Sequence, residues 1–245
     1  ADAADAGTAI KPYLTLVYAL SQTSDENAAI AIVSAATYVE GSIPIISRQA
    51  AIVGLADNIF IDPAGSLELR WAGSYGSPRM IRNVETSAGY ADTTGTPGDM
   101  LFSGCTIVGT TSGILVRDTV WDTFVSGCDL SGTTGAFNCG TDLTTFVYNT
   151  TLRETSTIFC AYFSKATNKQ WRSRNNTFIL GSGWGIGLND IAQVTDADSV
   201  VESDFNTYTV TGGEAGFAYA NAGATTYATL AQWQAATGLD TNSTN

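Results

Sequence analysis

The residues best suited to chemistry crowd into one short stretch. Lys165-Ala-Thr-Asn-Lys-Gln-Trp-Arg-Ser-Arg174 holds four of the chain's eleven basic residues, beside Trp171. Tyr162, Phe163 and Trp184 lie close in sequence, and Glu154 and Asp190 are the carboxylates at hand. Guanidinium groups beside aromatic rings suit a sugar: the ring takes its C–H face, and the cation takes hydroxyl or carboxylate oxygens. Trp171, Arg172, Arg174, Trp184 and Tyr162 are therefore the candidate glycan-binding residues. The competing reading is a local ion-pair cluster or an oligomer contact. Strict alternation would send Arg172, Arg174, Asn176 and Phe178 to one side, and burying two unpaired arginines with Phe178 would be very costly. The expectation is that both arginines sit in an inserted loop with exposed guanidinium groups, and that Trp171 is partly exposed.

Other chemistry is thinner. The chain has no histidine, which excludes Ser-His-Asp, Cys-His and His-ligated zinc mechanisms. Asp99 and Asp122 stand 23 residues apart, each at the start of a strand-like run. Stacked carboxylates attract a hard cation, so the pair is a candidate calcium site. The plainer reading is that both bond local backbone amides, with Thr145 taking the place in the next copy and ending the series. Cys105, Cys128, Cys139 and Cys160 form no CxxC pair. The spacings Cys105–Cys128 and Cys139–Cys160 would stack each pair on neighbouring coils about 4.8 Å apart, close enough for a disulfide. A buried ladder of free thiols, acting as small hydrophobes, is the alternative. Asn-x-Ser/Thr sequons occur at Asn149, Asn175 and Asn242.

A repeat positions these groups. Asp99-Met-Leu-Phe-Ser-Gly-Cys-Thr-Ile-Val-Gly-Thr-Thr111 returns as Asp122-Thr-Phe-Val-Ser-Gly-Cys-Asp-Leu-Ser-Gly-Thr-Thr134. A period in the low twenties is one coil of a solenoid. Inward anchors are expected at Val84, Ile107, Leu130, Leu152, Phe178 and Tyr208, spaced 23, 23, 22, 26 and 30 residues. The last two coils then carry insertions. Alternation within a copy reads as strand, with Leu101, Ser103, Cys105 and Ile107 on one face, and likewise Phe124, Ser126, Cys128 and Leu130. A single coil cannot bury its inner face, so stability comes from stacking. Exposed strand edges at the ends need covering. Lys11 to Ser21 reads as an amphipathic helix with Pro12 in its first turn, followed by strands at Ile30–Val33 and Ile43–Ile46. Thr229-Leu-Ala-Gln232 fits a capping box, with Gly238 as the stop of a helix over 230–237. The division expected is one domain over 1–245: cap and first strands 1–40, coils 41–212, C-terminal segment 213–245.

Gly7-Thr…Pro12-Tyr-Leu-Thr-Leu-Val-Tyr-Ala-Leu20, Ala28–Val33, Ala36-Thr-Tyr-Val-Glu40 and Thr226-Tyr-Ala-Thr-Leu-Ala-Gln-Trp-Gln-Ala-Ala-Thr-Gly-Leu-Asp240 together resemble right-handed parallel β-helix proteins of the pectate-lyase-like superfamily. The resemblance implies an all-β, single-stranded right-handed parallel β-helix of roughly eight coils with an N-terminal capping helix and a short C-terminal helix. That superfamily includes polysaccharide lyases, glycoside hydrolases, phage tailspikes and adhesins.

Composition narrows the role. Asp plus Glu total 23 against 11 Lys plus Arg, a formal net charge of -12. That argues against nucleic acid, whose binding depends on phosphate neutralisation, and against anionic membranes. No apolar run reaches the ~18 residues of a membrane helix, and no signal peptide is visible at the N-terminus. The expected function is a non-catalytic extracellular or virion-surface protein: a spike, fibre or decoration element that binds a polysaccharide or cell-surface glycan and self-associates, for instance as a trimer. The alternatives are a polysaccharide lyase or glycoside hydrolase, and a purely structural capsid or surface-layer component. No cofactor is expected other than calcium.

Overall fold

The computed structural model describes residues 15–22, 29–40, 45–46, 51–63, 68–71, 79–87, 89–92, 99–109, 112–116, 122–133, 135–139, 144–154, 159–163, 170–181, 184–188, 200–211, 216–220 and 225–245. They form an all-β parallel solenoid with a short helix toward each terminus. The chain visits three sheets in turn. Sheet A holds eight strands: Ala29–Ile32, Ala51–Gly54, Arg79–Arg82, Met100–Ser103, Asp122–Ser126, Thr144–Tyr148, Gln170–Arg174 and Val200–Asp204. Sheet B also holds eight, from Thr37–Glu40 to Thr207–Val210, and sheet C holds nine, from Ile45–Ile46 to Thr225–Tyr227. Pairing is parallel except for the last pair, Gly216–Ala220 with Thr225–Tyr227.

The repeat sets the register. Ile107, Leu130, Leu152, Phe178 and Tyr208 are axial neighbours in sheet B. All five are buried, and Phe178 and Tyr208 stack at 4.9 Å. One anchor is corrected. Thr86, not Val84, pairs with Ile107; Val84 is buried at the preceding corner, and its carbonyl accepts from the Thr106 amide of the next coil.

That corner explains a second correction. Met100 and Phe102 point inward while Leu101 and Ser103 point outward; beyond Gly104, Cys105 and Ile107 point inward again. The expected single face of Leu101, Ser103, Cys105 and Ile107 is therefore broken in the middle. Likewise Thr123 and Val125 are buried, whereas Phe124 and Ser126 lie on the outer side. The cause is one residue in the left-handed conformation at each of these corners from the second coil on: Asn58, Asn83, Gly104, Gly127, Asn149, Asn175 and Phe205, with φ between 50° and 63°. This residue turns the chain from sheet A into sheet B and resets the alternation. Gly and Asn adopt that conformation most readily.

Behind each left-handed residue comes an inward-facing one: Ile59, Val84, Cys105, Cys128, Thr150, Asn176 and Asn206. The column runs from apolar to thiol to polar. In its polar part, side-chain oxygens of one coil accept from the backbone of the coil before it. Cys128 N donates to Thr150 Oγ1 (3.4 Å), Thr150 N to Asn176 Oδ1 (2.9 Å), Asn176 N to Asn206 Oδ1 (3.0 Å) and Asn206 N to Ser243 Oγ (2.8 Å). Buried amides that a sheet ladder does not use are satisfied in this way.

Both ends are closed by helices. The helix α1, Leu16–Gln22, buries Leu16, Ala19 and Leu20 in the core and packs on the first strands of sheets B and C. It begins later than expected within the described residues; Lys11 to Leu14 lie outside them. The helix α2, Leu230–Thr237, has the expected ends. Thr229 accepts from Gln232 N, the Gln232 side chain accepts from Ala228 N, and Gly238 terminates it at φ 71°. Its Trp233 is fully buried and donates to Asp240 Oδ2 at 3.0 Å. Asp240 Oδ1 accepts from Asn206 Nδ2 (2.9 Å) and Ser243 Oγ (2.7 Å), which joins the C-terminal segment to the corner column.

Candidate functional site

Arg172 and Arg174 do not lie in an inserted loop. Both belong to the sheet A strand Gln170–Arg174, and the turn at Asn175 (φ 55°) frees them from the phase of Phe178. Within the strand, Trp171 and Ser173 face the core, Arg172 is half-buried and Arg174 is exposed. The arginines reach solvent as expected, but Trp171 is only 4% exposed. It is a core residue, and its assignment as a sugar platform is withdrawn.

Other aromatics flank the arginines. Parallel register places Phe124, Phe146, Arg172 and Glu202 in one outward column of sheet A. Ser126, Tyr148, Arg174 and Asp204 form the column beside it. Phe124 and Phe146 stack at 4.7 Å with planes 8° apart. The Arg172 guanidinium caps the Phe146 ring at 5.7 Å and faces Glu202 Oε2 at 3.6 Å. Arg174 lies over the ring of Phe205 at 5.1 Å. These contacts fix two arginines on aromatic supports, an arrangement in which an exposed cation keeps its orientation and its free donors.

The acidic partners differ. Glu202 is about half exposed. Asp204 accepts from Asn242 N and Nδ2, both at 2.7 Å. Burial acts to raise the Asp204 carboxyl, but the Asn242 bonds, the Phe205 amide and the Arg174 charge outweigh it and hold it below the usual carboxylate range. Such a group is a poor proton donor near neutral pH.

Trp184 and Tyr162 belong to sheet C, on Trp184–Leu188 and Phe159–Phe163. Trp184 pairs with Phe159 and Tyr162 with Gly187. The expected cluster is therefore divided between two sheets, and the side chains of Trp184 and Tyr162 lie outside the described residues, as do Lys165, Lys169, Asp190 and the side chain of Glu154.

Asp99 Oδ1 accepts from the Asp122 amide of the next coil at 3.2 Å. The residue beside Asp122 in the following coil is Thr144, not Thr145, which is buried. Among the described residues no group of three His, Cys, Asp or Glu side chains could hold a metal. Cys105 and Cys128 are buried free thiols, one in each of two adjacent coils. Cys105 donates to the Ile81 carbonyl at 3.3 Å. Contact with Cys105, then burial, push the Cys128 thiol far above its ordinary range. Cys160 is also a buried thiol outside any disulfide, and it donates to the Leu152 carbonyl at 3.1 Å. Cys139 pairs with Phe163 rather than Cys160, so these two are not axial neighbours; the Cys139 side chain is outside the described residues.

The features that sequence spacing did not expose are Phe124, Phe146, Tyr148 and Phe205. The signal was present in Gly104, Gly127, Asn149 and Asn175, each three residues before an inward anchor. Comparison with family models, curated proteins and solved structures finds no match.

Proposed function

We propose that the protein is a glycan-binding β-solenoid of an extracellular or virion surface, acting as a spike, fibre or decoration element of the pectate-lyase-like kind. The kinship rests on the N-terminal and C-terminal stretches quoted above. One observation carries the binding role: on adjacent coils of sheet A, Phe146 gives way to Arg172 and Tyr148 to Arg174, all four on the outer side. The arginines offer directional donors to sugar oxygens, and Glu202 offers an acceptor beside them. A stacked sheet holds these groups without a mobile loop, so little conformational entropy is lost when a ligand settles.

The test is retention on immobilised neutral and acidic polysaccharides, comparing the wild type with an Arg172→Ala, Arg174→Ala double variant. Both arginines are on the outer side, so the double variant should melt within a few degrees of the wild type and lose retention. Equal retention by both proteins would remove the site. Reducing ends or unsaturated sugars appearing during the incubation would replace binding by glycoside hydrolysis or elimination.

A further inference from the structure

Phe205 occupies a position where the six preceding coils, from the second on, carry a residue suited to the left-handed conformation: Asn58, Asn83, Gly104, Gly127, Asn149 and Asn175. Phe205 has φ 56°, and a bulky side chain there is a genuine outlier. It contributes little burial in return, being 47% exposed. A strained side chain this exposed gains little packing to offset its strain, and such outliers gather at binding sites.

Its surroundings define what it could hold. The Phe124 and Phe146 rings cover each other, and Arg172 caps Phe146, so Phe146 has a neighbour against its ring from each adjacent coil and Phe124 from one. Phe205 has Arg174 over its ring and nearly half its surface in solvent. Beside it Asp204 is clamped by Asn242, itself exposed. Arg174 and Asp204 balance in charge, and the whole chain carries -12. A polyanion gains nothing from such a site and is repelled at long range. An uncharged ligand with one C–H face and a rim of hydroxyls fits it: the face on the ring, the hydroxyls toward Arg174, Asp204 and Asn242.

We infer that Phe205 is the anchor of a subsite for a neutral hexopyranose unit, at the corner between sheets A and B. This rests on the glycan-binding reading of the outer face of sheet A.

The decisive variant is Phe205→Asn, which installs the residue found at four other corners. The probes are neutral gluco-, manno- and galacto-tetraoses and a uronate tetraose, titrated by NMR at low and high salt. The inference expects at least one neutral tetraose to bind wild type independently of salt. Phe205→Asn should bind it at least tenfold more weakly while melting about 2 °C or more above wild type, because the strain is relieved. Equal binding by wild type and Phe205→Asn would overturn the anchor and leave the Arg172–Arg174 face standing. Salt-sensitive binding of the uronate alone would overturn the ligand class. Silence to all four probes would overturn the inference together with the reading beneath it. A Phe205→Tyr variant, which keeps the ring, should retain binding; loss there as well would mark Phe205 as structural.

Discussion

Replacing Asn176 by alanine isolates what the corner column contributes. Asn176 is 1% exposed. Its Oδ1 accepts from Thr150 N at 2.9 Å, and its Nδ2 donates to Val147 O at 2.8 Å and Ser173 Oγ at 2.9 Å. Alanine leaves the buried Thr150 amide unsatisfied, at about 1–3 kcal/mol, and removes two further bonds worth about 0.5–1.5 kcal/mol each. Recovered side-chain freedom offsets a little of this. The expected loss is about 3–4 kcal/mol, read by urea denaturation. Asn176→Asp separates the parts. It keeps the acceptor for Thr150 but sets a carboxylate against the Val147 carbonyl, so at pH 7 it should be worse than alanine. Acidification restores a donor, so the gap between Asp and wild type should narrow as pH falls. Asn175→Ala is the control: an exposed left-handed corner, with an expected cost of about 1 kcal/mol. If Asn176→Ala costs no more than Asn175→Ala, the side-chain column is incidental and the reasoning fails.

Two other outcomes follow from the same geometry. Trp171→Ala should lower stability by about 3–5 kcal/mol, as for other buried aromatics, in contrast to the small effect of Arg174→Ala; thermal melting of both variants checks the inward assignment. Asp204 has a lowered folded-state value, so its contribution is present above the ordinary carboxylate value of about 3.9 and disappears as pH falls through the lowered one. Asp204→Asn should therefore flatten the decline in melting temperature below about pH 4, and an unchanged slope would show that Asp204 and Asn242 do not close the C-terminal coil.

The solenoid was legible because its repeat is nearly literal between 99 and 134, and because α2 carries its own stop and start residues in Thr229, Gln232 and Gly238. The site was less legible. Two-residue alternation holds only within a strand, and the left-handed corner shifts it once per coil. Carrying the phase of Phe178 back through Asn175 forced the arginines into an inserted loop to reach solvent and left Trp171 partly exposed, whereas the corner lets a regular strand expose both arginines and bury Trp171. Carrying Ile107 back through Gly104 placed Leu101 and Ser103 inside. Phe205 is harder still, since nothing about a lone phenylalanine announces a left-handed corner; only its place three residues before Tyr208 does. Cys139 and Cys160 show the same limit: a spacing near the period does not guarantee the same position on the coil.

The central claim is that the outer side of sheet A meets a glycan. Hydroxyl-radical footprinting with and without a bound oligosaccharide tests it residue by residue. Phe146, Tyr148 and Phe205 should be protected when the sugar is present, while Val108 and Val210 on sheet B stay equally reactive. Protection confined to sheet B, or no protection at saturating sugar, would contradict the account.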